Sequence, residues 1–157
     1  MRDNRFVAAH RGGPLALAQH QLLAAWAADC AEHLLPLFEL HTEDDRPQQA
    51  IAIGRAWVRG EVKTGVAQRA AVAAHAAARQ ATDKAAVAVA RAAGHAVATA
   101  LFADHSLGPV IYGAKAVEAA GGSADDERDW QLSRLPEQVR ALVLSALEQR
   151  RAAEIRR

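Results

Sequence analysis

A chain of 157 residues fits one domain and is long enough to bury a core without disulfides or metal ions. Lys and Arg number 19 against 18 Asp and Glu, and this balance gives no electrostatic case for nucleic-acid binding, which depends on a basic surface. Hydrophobic residues make up 51% of the chain, yet only 4% are aromatic and alanine is abundant, so the composition favours helices over sheets.

The N-terminal residues predict neither a signal peptide nor a membrane helix. Asp3 lies where a signal peptide would be positively charged, and Gln19, His20 and Gln21 interrupt the apolar stretch that follows. No apolar run approaches the roughly 20 residues of a membrane span. The single cysteine, Cys30, cannot form an internal disulfide, which fits a reducing compartment. We therefore expect a cytoplasmic protein that does not associate with membranes.

The first helix is predicted to follow a leader. Residues 1–13 show no helical periodicity and are expected to be flexible, whereas residues 14–157 are expected to form a single helical domain. Pro14 suits the first turn of a helix, where its missing N–H has no partner to lose. Pro36 should kink or end this helix, because proline removes a backbone donor and crowds the preceding turn.

A group of turn and capping residues predicts the start of the second helix. Asp45 can cap it, Pro47 fits its first turn, and Gln48 lies three residues after the cap, as in a capping box. Gly60 is predicted to end this helix in the left-handed conformation.

A fourth helix, after a third that ends near residue 81, is predicted at about 83–104, with Thr82 as its cap. It is rich in Ala and Val on nearly every face, which is typical of a central, buried helix. Pro109 then opens a fifth helix, and Pro136 opens the last one. The fold class is therefore predicted as all-α: a single-domain, Ala-rich helical bundle of about six helices.

Polar side chains among the alanines are the candidate functional residues. His75 and Arg79 share one stripe of the third helix, and Arg91 and His95 share one stripe of the fourth. If helices one, three and four pack together, these groups should converge on a polar seam, in which His75, Arg79, Arg91, His95 and Asp104 should be mostly buried and hydrogen-bonded. Its predicted members are Asp29, His33, His75, Arg79, Arg91, His95, Asp104 and His105.

Several interpretations of this seam remain open. A satisfied polar network would fix how smooth alanine helices pack. A metal site would use His33, His75, His95 and His105, although the chain has no second Glu-x-x-His motif. Cys30 and His33 could form a nucleophilic pair, but no oxyanion donor is recognisable. A surface for a partner protein is the remaining interpretation. We predict the structural network, with no catalytic residue, no cofactor and no structural metal.

A set of segments, taken in order, resembles a known family. These segments are Trp26–Glu39, Asp44–Pro47, Ala56–Gly60, Ala73–Arg79, Ala90–Thr99, Ala103–His105, Tyr112 and Trp130–Gln131. They resemble the small bacterial family of putative immunity proteins that is likened to immunity family five. The resemblance runs from about Leu17 to Pro136. It departs at Leu101, where the family often has a histidine.

The resemblance implies a cytoplasmic immunity-type protein that binds and neutralises a cognate toxin domain used between competing bacteria. Asp44, Asp45 and Arg46, in the loop before the second helix, are the expected partner contacts. The closely packing alanine faces are also compatible with a homodimer. The alternative is a helical-bundle enzyme, or a small-ligand or metal-binding protein, that uses the His/Arg/Asp seam.

Overall fold

The computed structural model describes residues 2–157 and arranges them as a bundle of α-helices. The helices are α1 (Leu17–Glu39), α2 (Arg46–Val58), α3 (Thr64–Gln80), α4 (Lys84–Ala98), α5 (Gly108–Ala119), α6 (Ala124–Ser133) and α7 (Glu137–Ile155). Short 3-10 helices span Asn4–Phe6, Ala9–Arg11 and Ala103–Leu107. The all-α prediction is confirmed, with seven α-helices in the described residues instead of about six.

Helix α4 lies at the centre of the bundle, as predicted. It packs against α1, α2, α3 and α5, and eleven of its fifteen residues are buried. Most of these residues are alanines, whose small side chains let neighbouring backbones approach closely. The helix is shorter than the predicted 83–104, because the chain turns after Thr99 into the 3-10 helix Ala103–Leu107. The Thr99 hydroxyl donates to the His95 carbonyl oxygen (3.1 Å) at this turn.

The N-terminal segment packs on the bundle and differs in this from the predicted flexible leader. Phe6 is only 4% exposed, and the Arg5 guanidinium donates to the Ser145 hydroxyl of α7 (2.8 Å). Arg2 pairs with Asp104 at 3.5 Å. The segment is built from 3-10 turns, so its buried side chains do not recur at the α-helical spacing from which the sequence predicts a helix.

Two predictions about helix ends need correction. Helix α1 continues past Pro36 to Glu39, so this proline does not end the helix at its own position but lies in the last turn. Asp83, one residue later than the predicted Thr82, caps α4 by accepting from the Ala86 backbone N–H (2.9 Å). Gly60 does adopt the left-handed conformation after α2, with φ 76°.

Candidate functional site

Three of the predicted seam residues meet beside the central helix. His75 of α3, His95 of α4 and His105 of the 3-10 helix come together, and Tyr112 of α5 joins them. The Nδ1 atoms of His95 and His105 are 3.0 Å apart, and the His75 ring meets the His95 ring edge-on at 5.4 Å between centroids. Tyr112 lies nearly parallel to His95, with 5.2 Å between ring centroids. We call these four residues the histidine cluster.

Glycines on neighbouring helices make room for these rings. A Cβ atom at Gly94 would lie 2.7 Å from ring atoms of His75, and one at Gly108 would lie 2.3 Å from the Cβ of His95. Both distances are shorter than non-bonded carbon atoms tolerate. The helices therefore approach each other as closely as they do only because these two positions carry no side chain.

The histidine cluster is electrically neutral at neutral pH. Burial lowers the pKa of His75, His95 and His105, and it lowers that of His95 to about 4. The charge of Arg91 depresses the pKa of His75 further. Since both Nδ1 atoms of the His95–His105 contact belong to neutral rings, one must donate its proton and the other must accept it.

The predicted arginines of the seam are not buried. Arg79 and Arg91 are exposed, and neither has a hydrogen-bond or ion-pair partner among residues 2–157. Long arginine side chains at the edge of a bundle reach water, which avoids the cost of burying a charge. Asp104 is 15% exposed and pairs with Arg2 of the N-terminal segment, not with either arginine. The expectation of burial is therefore wrong for Arg79 and Arg91, and His75, His95 and Asp104 are only half-buried.

Asp29 and His33 belong to a second cluster, on α1 and α6. Asp29 pairs with Arg55 of α2 at 2.9 Å, and the same guanidinium reaches Glu32. The His33 Nδ1 atom lies 2.9 Å from a carboxylate oxygen of Glu127.

An aromatic stack completes this second cluster. The His33 ring lies on the Trp130 ring, with 3.6 Å between centroids and 8° between planes. The single seam predicted from the sequence is therefore divided between two places in the fold.

A buried polar group on α6 was not predicted. Gln131 is fully buried. Its side-chain N–H groups donate to the Pro109 carbonyl oxygen (3.2 Å) and to Glu127 (3.3 Å), and its backbone carbonyl oxygen accepts from the Trp26 indole N–H (2.8 Å). Glu127 is only 7% exposed. Helix α6 is so polar that its sequence suggests a surface helix. The available signal was the spacing of Glu127 and Gln131, which places both side chains on one face.

The nucleophile interpretation of Cys30 is not supported by its surroundings. The thiol is fully buried, and burial together with the nearby carboxylates of Asp29 and Glu127 raises its pKa well above the usual range. A thiol in this environment stays protonated and is a poor nucleophile. His33 is hydrogen-bonded to Glu127 at its Nδ1 atom.

Residues 2–157 lack two further kinds of feature. No three His, Cys, Asp or Glu side chains of this part of the chain come together as a metal site. None of its helices has the length and apolar character needed to cross a membrane.

The loop before α2 is held by its own hydrogen bonds. Asp44 pairs with Arg46 at 2.6 Å and also accepts from the Arg46 backbone N–H (3.0 Å). The Arg46 guanidinium continues to the Gln80 side chain (2.7 Å). Asp45 is exposed and accepts from the Gln49 side chain (2.7 Å), so the predicted capping box does not form. Of the three predicted contact residues, Asp45 is therefore the one that is exposed.

The chain matches a known protein family. The model of the family described as "Imm-5 like putative immunity protein" matches residues 13–138. The chain belongs to this family. Membership confirms the resemblance seen in the sequence, and the matched range contains both the histidine cluster and the His33–Trp130 stack. No curated protein and no solved structure matches the chain.

Proposed function

We propose that this member of the Imm-5 like family is a cytoplasmic immunity-type protein that binds and neutralises a cognate toxin domain from bacterial competition. The observation that carries the proposal is the family match over residues 13–138, which includes helices α1 to α6 in full. Neutralisation of this kind is stoichiometric: the protein covers a surface of the toxin, and it turns over no substrate.

The surface of the bundle supports a binding role. Trp130 is held in place by the stacked His33 ring, and the Arg46 side chain is held by Asp44 and Gln80. Tryptophan and arginine dominate the energetics of protein interfaces. Side chains that are already ordered in the free protein lose less entropy on binding. Both residues are thus suited to contact a partner at a low ordering cost.

Within this proposal, Asp44, Asp45 and Arg46 remain the proposed partner contacts. Asp44 and Arg46 neutralise each other, while the Asp45 carboxylate is exposed and has only the Gln49 amide as a partner. A basic side chain of the toxin could pair with Asp45 without first breaking an ion pair. The main energetic role in this loop is therefore assigned to Asp45.

Co-expression tests the function. The toxin domain encoded beside this gene is expressed alone, with this protein, and with its Asp45→Lys variant. We expect the toxin to kill, the parent protein to restore growth, and the variant to protect less well. Glu148→Lys is the matched control, because Glu148 is an exposed carboxylate on α7 with no ion-pair partner in the described residues.

Equal killing with and without the protein, together with no complex at about micromolar concentration, would remove the immunity proposal for that toxin. Full protection by Asp45→Lys would contradict only the proposal that the loop before α2 contacts the toxin.

A further inference from the structure

A groove between α4 and α5 carries three cationic side chains. It has a volume of about 410 Å³ and is lined by Lys84, Arg91, Tyr112 and Lys115, with Val87, Ala88 and Ala119 as its apolar part. It lies next to the histidine cluster, with which it shares Tyr112. We call it the basic groove.

The three cations of the basic groove have no carboxylate partner. Lys84, Arg91 and Lys115 take part in no ion pair among residues 2–157. Glu118 lies one turn after Lys115 on α5, but it does not pair with that lysine. Lys115 instead makes a cation–π contact: its ammonium lies 5.1 Å from the centroid of the Tyr112 ring.

Other Lys and Arg side chains of the described residues also lack an ion-pair partner, but these three lie together in one groove. Six other arginines pair with carboxylates: Arg2, Arg5, Arg46, Arg55, Arg59 and Arg140. The whole chain is nearly neutral, with a net charge of +1. A groove with three positive charges on such a molecule produces a field that attracts and orients an anionic partner.

The dimensions of the groove indicate the form of that partner. Lys84 and Arg91 are seven residues apart on one helix, which corresponds to about 10 Å along its axis. One phosphate group is too small to contact both ends of such a row. An extended polypeptide segment with several carboxylates matches it, and its apolar side chains could lie on Val87 and Ala88.

We propose that the basic groove binds an acidic polypeptide segment of the toxin. This inference rests on the proposed function and adds that the toxin surface bound by the groove is acidic. A nuclease binds nucleic acid through a basic surface. The basic groove would repel such a surface, so the segment that it binds lies outside any nucleic-acid-binding face of the toxin.

The first test uses the toxin domain and the double variant R91E/K115E. Calorimetry at low and at physiological salt should show binding weakened at least about tenfold at low salt, with a smaller loss of affinity on adding salt. Both side chains are exposed and unpaired, so thermal melting should show that the variant folds like the parent. The matched control is R128E, which reverses an exposed arginine of α6 outside the groove; it should bind within about twofold of the parent.

The outcomes separate the two proposals. If R91E/K115E binds and neutralises the toxin like the parent, the groove proposal is overturned and the immunity function stands. If the parent binds no toxin, the immunity proposal fails. Binding of a fluorescent peptide of about ten glutamates then tests whether the groove recognises acidic segments. Salt-sensitive binding of this peptide that is lost in R91E/K115E supports recognition of acidic segments. No binding at about 1 mM, or binding of ATP and inorganic phosphate but not of the peptide, overturns it.

Discussion

At the scale of single residues, the buried and half-buried histidines link stability to pH. Burial lowers the pKa of His20, His75, His95 and His105 in the folded protein. Below the ordinary pKa of 6.5, the unfolded chain therefore binds protons that the folded chain does not. The free energy of unfolding is highest above this pH and falls as the solution becomes more acidic. For His95, whose pKa falls to about 4, the loss is at most about 3 kcal/mol by that pH.

Urea unfolding at about pH 7.5 and about pH 5 measures this dependence. We expect the parent protein to be less stable at the lower pH, and His95→Gln to show a smaller difference between the two conditions. His10→Gln, which changes an exposed histidine, should keep the full difference. An unchanged difference in His95→Gln would contradict the assignment of the effect to the histidine cluster.

The sequence predicted the meeting of the histidines but not the fate of the arginines beside them. His75 and His95 lie at helical spacing among alanines, which places both on faces that pack against neighbours. Whether the long side chain of Arg79 or Arg91 is buried depends on how the neighbouring helices are placed around it. Helical spacing does not contain that information. The division of the seam also depends on α6, whose Glu127 binds His33 away from the other histidines.

At the scale of helices, glycine positions set how closely α4 approaches its neighbours. A Cβ at Gly108 would lie 2.3 Å from the Cβ of His95, and that atom is fixed to the α4 backbone and cannot rotate away. A Cβ at Gly54 of α2 would lie 3.6 Å from the Cα of Val97, which is an ordinary contact.

Gly108→Ala should therefore push α4 and α5 apart and destabilise the fold by about 1–3 kcal/mol. Gly54→Ala should be neutral, or stabilising by up to about 1 kcal/mol, because alanine favours a helix. Denaturant unfolding of the two variants beside the parent checks both values. Equal stability of Gly108→Ala and the parent would show that the helices can separate at little cost.

Most helices could be predicted because their ends carry recognisable residues. Gly60 and Pro109 mark such ends, and both predictions agree with the structure within a residue or two. The end of α4 was missed because the apolar pattern continues through Ala100 and Leu101, and the turn there depends on Thr99. The packing of residues 2–13 was missed because buried side chains on 3-10 turns do not follow the α-helical period.

At the scale of the whole molecule, the fold could be predicted from the sequence, but the basic groove could not. Helical periodicity determines which faces are buried, and the bundle follows from it. The basic groove needs the side-by-side placement of α4 and α5, since Lys84 and Arg91 come from one helix and Lys115 from the other. These residues are distant in sequence, and the net charge of +1 conceals their local excess.

The central claim is that this protein neutralises a toxin by binding it, and titration of toxin activity tests that claim most directly. Purified protein is added in increasing amounts to a fixed, known amount of the purified toxin domain, and the remaining toxin activity is measured. We predict a linear loss of activity that ends near one molecule of protein per toxin domain, with a complex of the same composition on gel filtration. Toxin activity that persists in excess protein, or that disappears far below one equivalent as catalytic inactivation would produce, would contradict the account.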